Sequence, residues 1–358
     1  MINWWDIKFG ENELNKMISS FKNKNLSQGI VTKEFEELIC QYLNVKYTIA
    51  VSSGSSALLL ALMSLNIGTD DEVIIPNRTW IATAHAIHLL GAKVIPVDVQ
   101  EDKPIIDIYK LKKAITLKTK VIILVHMNGR GSDIQEVRSI AKKSNIKVVE
   151  DSAQAIGSKN KFGFLGTQSD IGCFSLSVAK TISSGQGGFI VTNNKKLSNK
   201  IRAMRTHGLE NVKDPKKWMM PGFNFRYTDI QASIAIEQLK QIDKRISSLR
   251  DLYKVYQEGL KDTPFIEIPV EIKQGEVPVY IEYLVPNKRS SWINYLLQAG
   301  VETRPFYPDI DSAHYFSCEK KKMVNSRKYA KRGIYLPGGP NQSVENALKV
   351  INIIKRKL

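Results

Sequence analysis

The chain has 358 residues, 43% of them hydrophobic, which is enough to bury one large core and a smaller second one. No apolar run approaches the roughly 20 residues of a membrane span, and the N-terminal segment lacks the basic and then apolar layout of a signal peptide, so we expect a cytoplasmic protein with no membrane partner. The net charge of +17 would fit a nucleic-acid partner, but the lysines are scattered and no aromatic-basic recognition module is present. We therefore expect no nucleic-acid partner. The excess of positive charge then reflects either a general attraction for anionic small substrates or a compositional bias of the whole proteome.

Three cysteines, Cys40, Cys173 and Cys318, lie far apart in the chain without a CxxC spacing. Neither a disulfide framework nor a zinc site is indicated by this pattern. We expect free thiols and no metal.

Seven short apolar segments predict strands because they are rich in β-forming residues. They are residues 47–53, 71–77, 93–99, 120–126, 147–151, 171–177 and 188–192. Amphipathic segments such as "SSALLLALMSL" and "DIQEVRSIAKKSN" lie between them and predict helices. Strand and helix alternate every ~20 to 25 residues, which predicts an α/β fold with a mostly parallel central sheet covered by helices.

The pattern changes at residues 226–260, which predict one long helix, straight or bent. After about residue 262 the pattern returns to mixed helix and strand. We expect a large domain at residues 1–240, with the N-terminal segment, and a smaller C-terminal α+β domain at residues 241–358.

Polar and aromatic residues follow the predicted strands, where ligand sites of such sheets lie. "SSGSSAL" at 52–58 is a small-residue turn that opens a helix, and its amides and hydroxyls suit a phosphate. It has neither a P-loop lysine nor a GxGxxG, which disfavours a nucleoside triphosphate or a dinucleotide. Trp80 follows the second strand, and Asp151 ends the fifth, either as a functional carboxylate or as a helix N-cap.

Lys180 lies in "CFSLSVAKTISSGQGG", on a short connection between two predicted strands. Most lysines are solvated surface charges, but buried strands on both sides carry this one inward. Desolvation lowers the pKa of an amine toward a nucleophilic range, and such a lysine forms an imine with a carbonyl.

A single ligand fits this combination of phosphate cradle, aromatic ring, carboxylate and lysine at one sheet edge. Pyridoxal phosphate has a phosphate, a flat ring, a ring nitrogen that a carboxylate keeps protonated, and an aldehyde that a lysine captures.

The chain resembles, over nearly its whole length, the fold-type I, pyridoxal-phosphate-dependent aminotransferases of the DegT/DnrJ/EryC1/StrS family, the sugar aminotransferases. The resemblance rests on many matching stretches in the order of the family. They include "YTIAVSSGSSAL", "DEVIIPNRTWIATAHAI", "VVEDSAQAIGS", "FSLSVAKTISSGQGG", "GFNFRYTDIQASIAIEQL" and "GVETRPFYP".

The resemblance implies roles for four residues around the cofactor ring. Lys180 would hold the cofactor as an imine and move the proton of the transamination, and Asp151 would pair with the ring nitrogen. Gln154 would approach the phenolic oxygen, and Trp80 would stack on the ring. The ordinary structural alternatives are a helix residue for Gln154 and a core residue for Trp80.

The resemblance also implies that Ser55, Ser56 and Ser175 bind the phosphate, although Ser175 could be an ordinary strand hydroxyl. Asn224 is similar to the asparagine that reaches the phosphate of the neighbouring subunit. The resemblance therefore implies a homodimer with shared active sites.

Three departures from the family pattern stand out. Ser177 and Val178 replace a common histidine and proline before the lysine, Gln186 replaces a common glutamate, and Asn128 stands where an aromatic is common. The dehydratases of the group carry histidine in place of the lysine, so Lys180 favours transamination.

The resemblance implies transfer of an amino group from L-glutamate to a keto sugar, with a nucleotide-linked one favoured, for polysaccharide (LPS, capsule or O-antigen) biosynthesis. One alternative is a small phosphorylated ketone as substrate of the same machinery. The other is a non-catalytic regulator that binds pyridoxal phosphate.

Overall fold

A computed structural model describes residues 1–211, 214, 217–316 and 322–358. Cys318 lies outside these residues, and Cys40 and Cys173 are free thiols. Within the described part of the chain, every helix is too short or too polar to cross a bilayer.

The described strands form three sheets. In chain order they are β1 (Tyr47–Val51), β2 (Glu72–Pro76), β3 (Lys93–Val97), β4 (Thr119–Val125), β5 (Lys147–Asp151), β6 (Lys159–Asn160), β7 (Gly163–Phe164), β8 (Ile171–Ser175), β9 (Gly188–Thr192), β10 (Ile266–Glu267), β11 (Ile281–Leu284), β12 (Arg304–Pro305) and β13 (Gly333–Leu336).

The described α-helices lie between and after these strands. In chain order they are α1 (Glu11–Lys22), α2 (Ile30–Leu43), α3 (Gly54–Ser64), α4 (Ala82–His88), α5 (Ile108–Ala114), α6 (Ile134–Lys143), α7 (Lys195–Arg205), α8 (Asp229–Lys240), α9 (Ile242–Leu260), α10 (Arg289–Gln298), α11 (Val324–Arg332) and α12 (Val344–Lys357).

The main sheet has seven strands in the order β1-β9-β8-β5-β4-β2-β3, and each corresponds to one of the seven predicted strands. The pairs β2/β3, β2/β4, β4/β5 and β5/β8 are parallel, whereas β9 pairs antiparallel with both β8 and β1. The predicted mostly parallel sheet of an α/β fold is confirmed.

Helices cover both faces of this sheet, as strand β2 shows. Val73 and Ile75 pack into one buried cluster with residues of α3, α4 and α7. Ile74, between them, points to the other face and packs with residues of α5 and α6. Because successive side chains of a strand point to opposite faces, a strand buried on both faces has a continuous apolar sequence.

Two helices, α8 and α9, stand where the sequence predicts one long helix from residue 226. The side chain of Thr228 accepts a hydrogen bond from the backbone N–H of Gln231, so α8 begins after Thr228. Gln241 separates the two helices. The predicted start of the helix was therefore wrong by three residues, and the bent alternative is the better description.

A second, antiparallel sheet with the order β10-β11-β13-β12 packs with α9, α10 and α12 around its own core. The N-terminal residues add to this part of the molecule, because Ile2 forms a β-bridge with Val301 and Trp5 forms one with Gly338. The division of the chain at residues 240 and 241 stays a prediction.

Candidate active site

A cavity of about 660 Å³ opens at the carboxyl edge of the main sheet. It is lined by residues that directly follow β1, β2, β5 and β8, together with residues of the second sheet. Six of the eight side chains predicted for the site line it: Ser55, Trp80, Asp151, Gln154, Ser175 and Lys180. The other two, Ser56 and Asn224, are not among its lining residues.

Lys180 lies half-buried on the connection between β8 and β9. Its Nζ donates a hydrogen bond to the hydroxyl of Tyr280 at 3.1 Å. Burial lowers the pKa of the Lys180 amine to about 8, although the charge of Asp151 opposes the shift. The amine is therefore partly free of its proton near neutral pH.

Asp151 ends strand β5 and is only 5% exposed. Its carboxylate accepts hydrogen bonds from the hydroxyl of Thr83 at 2.8 Å and from the backbone N–H of Ala153 at 3.2 Å. Burial raises the pKa of Asp151, whereas these two bonds and the nearby charge of Lys180 lower it. Turns, not a helix, follow Asp151, which excludes the N-cap alternative.

The first turn of α3 faces the cavity, as the "SSGSSAL" motif requires for a phosphate. Ser53 caps the helix, because its Oγ accepts a hydrogen bond from the backbone N–H of Ser56. A Cβ atom on Gly54 would lie 2.9 Å from the Cβ of Ser175, so a glycine lets β8 approach the helix closely. The Oγ of Ser56 bonds to the hydroxyls of Ser52 and Ser53, and its phosphate role stays a prediction.

Trp80 and Gln154 both lie on the cavity wall. Trp80 is 57% exposed, which excludes a core residue, and its ring meets that of Tyr307 edge-on at 5.6 Å. Gln154 is not in a helix, and its Oε1 accepts a hydrogen bond from the backbone N–H of Asn128 at 2.9 Å.

Asn224 lies on an exposed loop before α8 and is not among the residues that line the cavity of its own chain. Its Oδ1 accepts a hydrogen bond from Nε of Arg226 at 2.9 Å. Its predicted role toward the phosphate of a neighbouring subunit stays a prediction.

Several residues of the cavity were not predicted from the sequence. They are Trp4, Thr83, Tyr280, Arg304, Tyr307 and Tyr335. Thr83 lies three positions after Trp80, on the first turn of α4. Residues at this spacing lie on the same side of a helix, and this spacing was the one signal in the sequence that could have placed Thr83 in the site. Arg304 and Tyr307 lie in the matching stretch "GVETRPFYP" and Tyr335 begins "YLPGGP", so the sequence held a signal there to which no site role was given. Trp4 and Tyr280 lie in no such stretch, and no local pattern marks them.

Comparison with known proteins places this chain in one family. GDP-perosamine synthase of Escherichia coli O157:H7 is 32% identical over 336 residues, which cover 92% of this chain and 90% of that protein. The crystal structure of a DegT DnrJ EryC1 StrS aminotransferase from Brucella abortus is 25% identical with a TM-score of 0.90, over 97% of this chain and 95% of that one. DesV of S. venezuelae, solved in complex with a ketimine intermediate, is 26% identical with a TM-score of 0.91, over 97% and 94% of the two chains.

The model of one protein family matches residues 8–355, almost the entire chain. The match confirms the resemblance that the sequence motifs carry, together with the predicted fold class and the predicted enzyme class. This protein belongs to the DegT/DnrJ/EryC1/StrS aminotransferase family.

Proposed function

We propose that this aminotransferase moves the amino group of L-glutamate to the carbonyl carbon of a nucleotide-linked keto sugar, and so makes an amino sugar for polysaccharide synthesis. One observation carries the chemistry. A single cavity holds Lys180, with its lowered pKa of about 8, the buried carboxylate of Asp151 and the N-terminal turn of α3.

The residues of this cavity fit pyridoxal phosphate. The serine-rich first turn of α3 presents backbone N–H groups to an anion, and the close approach of Gly54 to Ser175 places a second hydroxyl beside it. Asp151 is a buried carboxylate, which suits a protonated ring nitrogen. When bound, the cofactor supplies an electron sink for the carbanion that forms as the amino donor loses its α-proton.

The side chains then have separate tasks. Lys180 would hold the cofactor through its Nζ, and the same amine would carry the proton of the transamination. The charge of Asp151 would keep the ring nitrogen protonated, Gln154 would approach the phenolic oxygen, and Trp80 would stack on the ring. Ser55, Ser56 and Ser175 would bind the phosphate.

We propose further that the enzyme is a homodimer in which Asn224 contacts the phosphate in the neighbouring subunit. The exposure of Asn224, and its absence from the lining of its own chain's cavity, support this arrangement. The cytoplasm is the proposed location, because L-glutamate and nucleotide sugars are both available there.

The substrate class rests on the relatives. GDP-perosamine synthase is named for a nucleotide-linked amino sugar, and this chain matches 90% of its length. A cavity of about 660 Å³ with five aromatic side chains in its wall, Trp4, Trp80, Tyr280, Tyr307 and Tyr335, has room for more than glutamate.

The direct test uses purified protein, pyridoxal phosphate, ¹⁵N-labelled L-glutamate, a panel of GDP-, UDP- and dTDP-linked keto sugars and, in parallel, a set of small phosphorylated ketones. We expect one member of the panel to take up ¹⁵N, detected by mass spectrometry, with an equal amount of 2-oxoglutarate. The Lys180→Ala variant is the control and should form neither product. Incorporation of ¹⁵N only into small phosphorylated ketones would refute the proposed substrate class.

A further inference from the structure

The hydroxyl of Tyr280 is the hydrogen-bond partner of Lys180. It accepts from Nζ of Lys180 at 3.1 Å and donates its own proton to the backbone carbonyl of Ala179 at 2.7 Å. The side chain of Tyr280 is buried, with 7% of the residue exposed. Because the single hydroxyl proton is given to Ala179, only lone pairs face the lysine.

This arrangement restricts how the free amine of Lys180 can point. A neutral amine has two N–H bonds and one lone pair, and the contact with Tyr280 requires an N–H bond on that side. The lone pair, which is the nucleophile, is therefore kept off the tyrosine. We propose that Tyr280 is a positioning residue for Lys180, which holds the amine ready to capture the aldehyde of the cofactor; this inference rests on the proposed function.

Asn128, in the segment after β4, fixes the backbone of Tyr280 with two hydrogen bonds that we call the clamp. Its Oδ1 accepts a hydrogen bond from the backbone N–H of Tyr280 at 2.6 Å, and its Nδ2 donates to the carbonyl of Tyr280 at 2.9 Å. Asn128 is fully buried and has a left-handed backbone, with φ of 53°. The clamp joins residues 152 positions apart in the sequence.

This clamp gives a role to one departure from the family pattern. Asn128 stands where an aromatic residue is common, and it does not line the cavity. It bonds instead to Tyr280 with its side chain and to Gln154 with its backbone N–H. The amide is therefore part of the support of Lys180, and we include it in the proposal.

Aromatic side chains immobilise the ring of Tyr280. Trp4 stacks on it at 6.0 Å between ring centroids, and Trp5 packs against it at 5.4 Å. Trp5 also donates a hydrogen bond from Nε1 to the carbonyl of Val178 at 3.0 Å, next to the lysine. The hydrogen bond from Trp5 thus anchors the connection that carries Lys180 without touching the amine. A variant that lacks this bond can therefore serve as a control.

The experiment measures how fast the full-length, cofactor-free protein captures pyridoxal phosphate at a series of pH values, followed by absorbance. We expect Tyr280→Phe to slow capture roughly three- to tenfold above the pKa of the lysine, the effect of one lost hydrogen bond. We also expect the midpoint of the pH profile to move to lower pH, because the lost acceptor stabilises the charged amine more than the neutral one.

Three matched variants separate positioning from structural damage. Trp5→Phe removes the hydrogen bond to Val178 while it keeps an aromatic ring against Tyr280, and it should leave the midpoint unchanged. Tyr256→Phe removes a buried hydroxyl that has no partner in the described structure, and should behave as wild type. Asn128→Gly keeps the left-handed backbone but removes the clamp, and should slow capture as Tyr280→Phe does, without adding to it in the double variant.

A wild-type rate and midpoint for Tyr280→Phe would overturn the inference, and a wild-type profile for Asn128→Gly would remove the clamp from it. Equal shifts of the midpoint in Trp5→Phe and Tyr280→Phe would show that only the anchoring of the connection matters. Failure of the wild-type protein to capture pyridoxal phosphate would refute the proposed function itself, so the two failures are distinguishable.

Discussion

The hydroxyl of Thr83 donates a hydrogen bond of 2.8 Å to the carboxylate of Asp151, on the wall of the cavity. Burial raises the pKa of this carboxyl, and among the interactions that lower the pKa the hydrogen bond from Thr83 has the largest effect. Thr83 therefore supports the charged form of Asp151, which is the form that a protonated ring nitrogen requires.

Removal of the charge of Asp151 should leave the fold intact and abolish most activity. We expect Asp151→Asn to bind the cofactor but to lose turnover by orders of magnitude, because an amide does not hold the ring nitrogen in its protonated form.

Thr83→Val should raise the pKa of Asp151 further and lower turnover roughly tenfold, as expected for one hydrogen bond to a charged group. Steady-state kinetics measures both, and near-normal turnover of Asp151→Asn would contradict the assignment.

Capture of pyridoxal phosphate by Lys180 should depend on pH in one direction. The pKa of Lys180 is lowered from its usual value to about 8, so the fraction of neutral, nucleophilic amine is small well below that pH and large above it. Borohydride reduction should fix the cofactor on Lys180 more completely at about pH 9 than at about pH 6, as measured by peptide mass spectrometry. A label on any other lysine, or a label that persists in Lys180→Ala, is the contrary result.

Mixed dimers test the role of Asn224. We expect Lys180→Ala and Asn224→Asp to be inactive alone, the second because its charge repels the phosphate. If each site uses Lys180 of one subunit and Asn224 of the other, a mixed dimer has one site with both defects and one with none, so activity returns in about half of the sites. Two parents that remain inactive after verified subunit exchange would show that Asn224 serves its own chain or no site.

The large part of the fold was predictable because the strands of the main sheet are buried on both faces. Their sequences are mostly apolar runs, as in "VIIP" of β2, and the runs of β1, β2, β5 and β8 end where the cavity begins. Asp151 and Ser175 are the last residues of β5 and β8, so their place at one edge of the sheet follows from strand order alone.

The second wall of the cavity was not predictable in this way. Tyr280 meets Lys180 across 100 positions of sequence, and the contact depends on the packing of the second sheet against the first. Neither residue has a neighbour pattern that marks the pairing, because the partners share no helix or strand. Asn128 was noted as a departure from the family, but its link to Tyr280 is visible only in three dimensions.

Arg130 and Glu282 form a buried ion pair between the segment after β4 and strand β11. Nη1 of Arg130 lies 2.6 Å from the Glu282 carboxylate, with the two side chains 0% and 1% exposed. Arg130→Met should cost about 3–5 kcal/mol, because it leaves a buried charge without its partner. The midpoint of urea denaturation measures the loss; Lys254→Ala, which breaks an exposed pair with Asp251, should change it little. Equal midpoints for the two variants would contradict the prediction.

The first residues of the chain pair with the second sheet, so the site can be completed only late in synthesis. Trp4 lines the cavity, and its backbone carbonyl accepts a hydrogen bond from Gly338 at 2.9 Å, while Ile2 bonds to Gly300 at 2.8 Å. These partners leave the ribosome more than 290 residues after the tryptophan does. The loop that they close is nearly the whole polypeptide, so its closure is entropically the most demanding contact of the site. The nascent enzyme therefore builds its carboxylate and its lysine first, and gains its aromatic wall only when translation is almost finished.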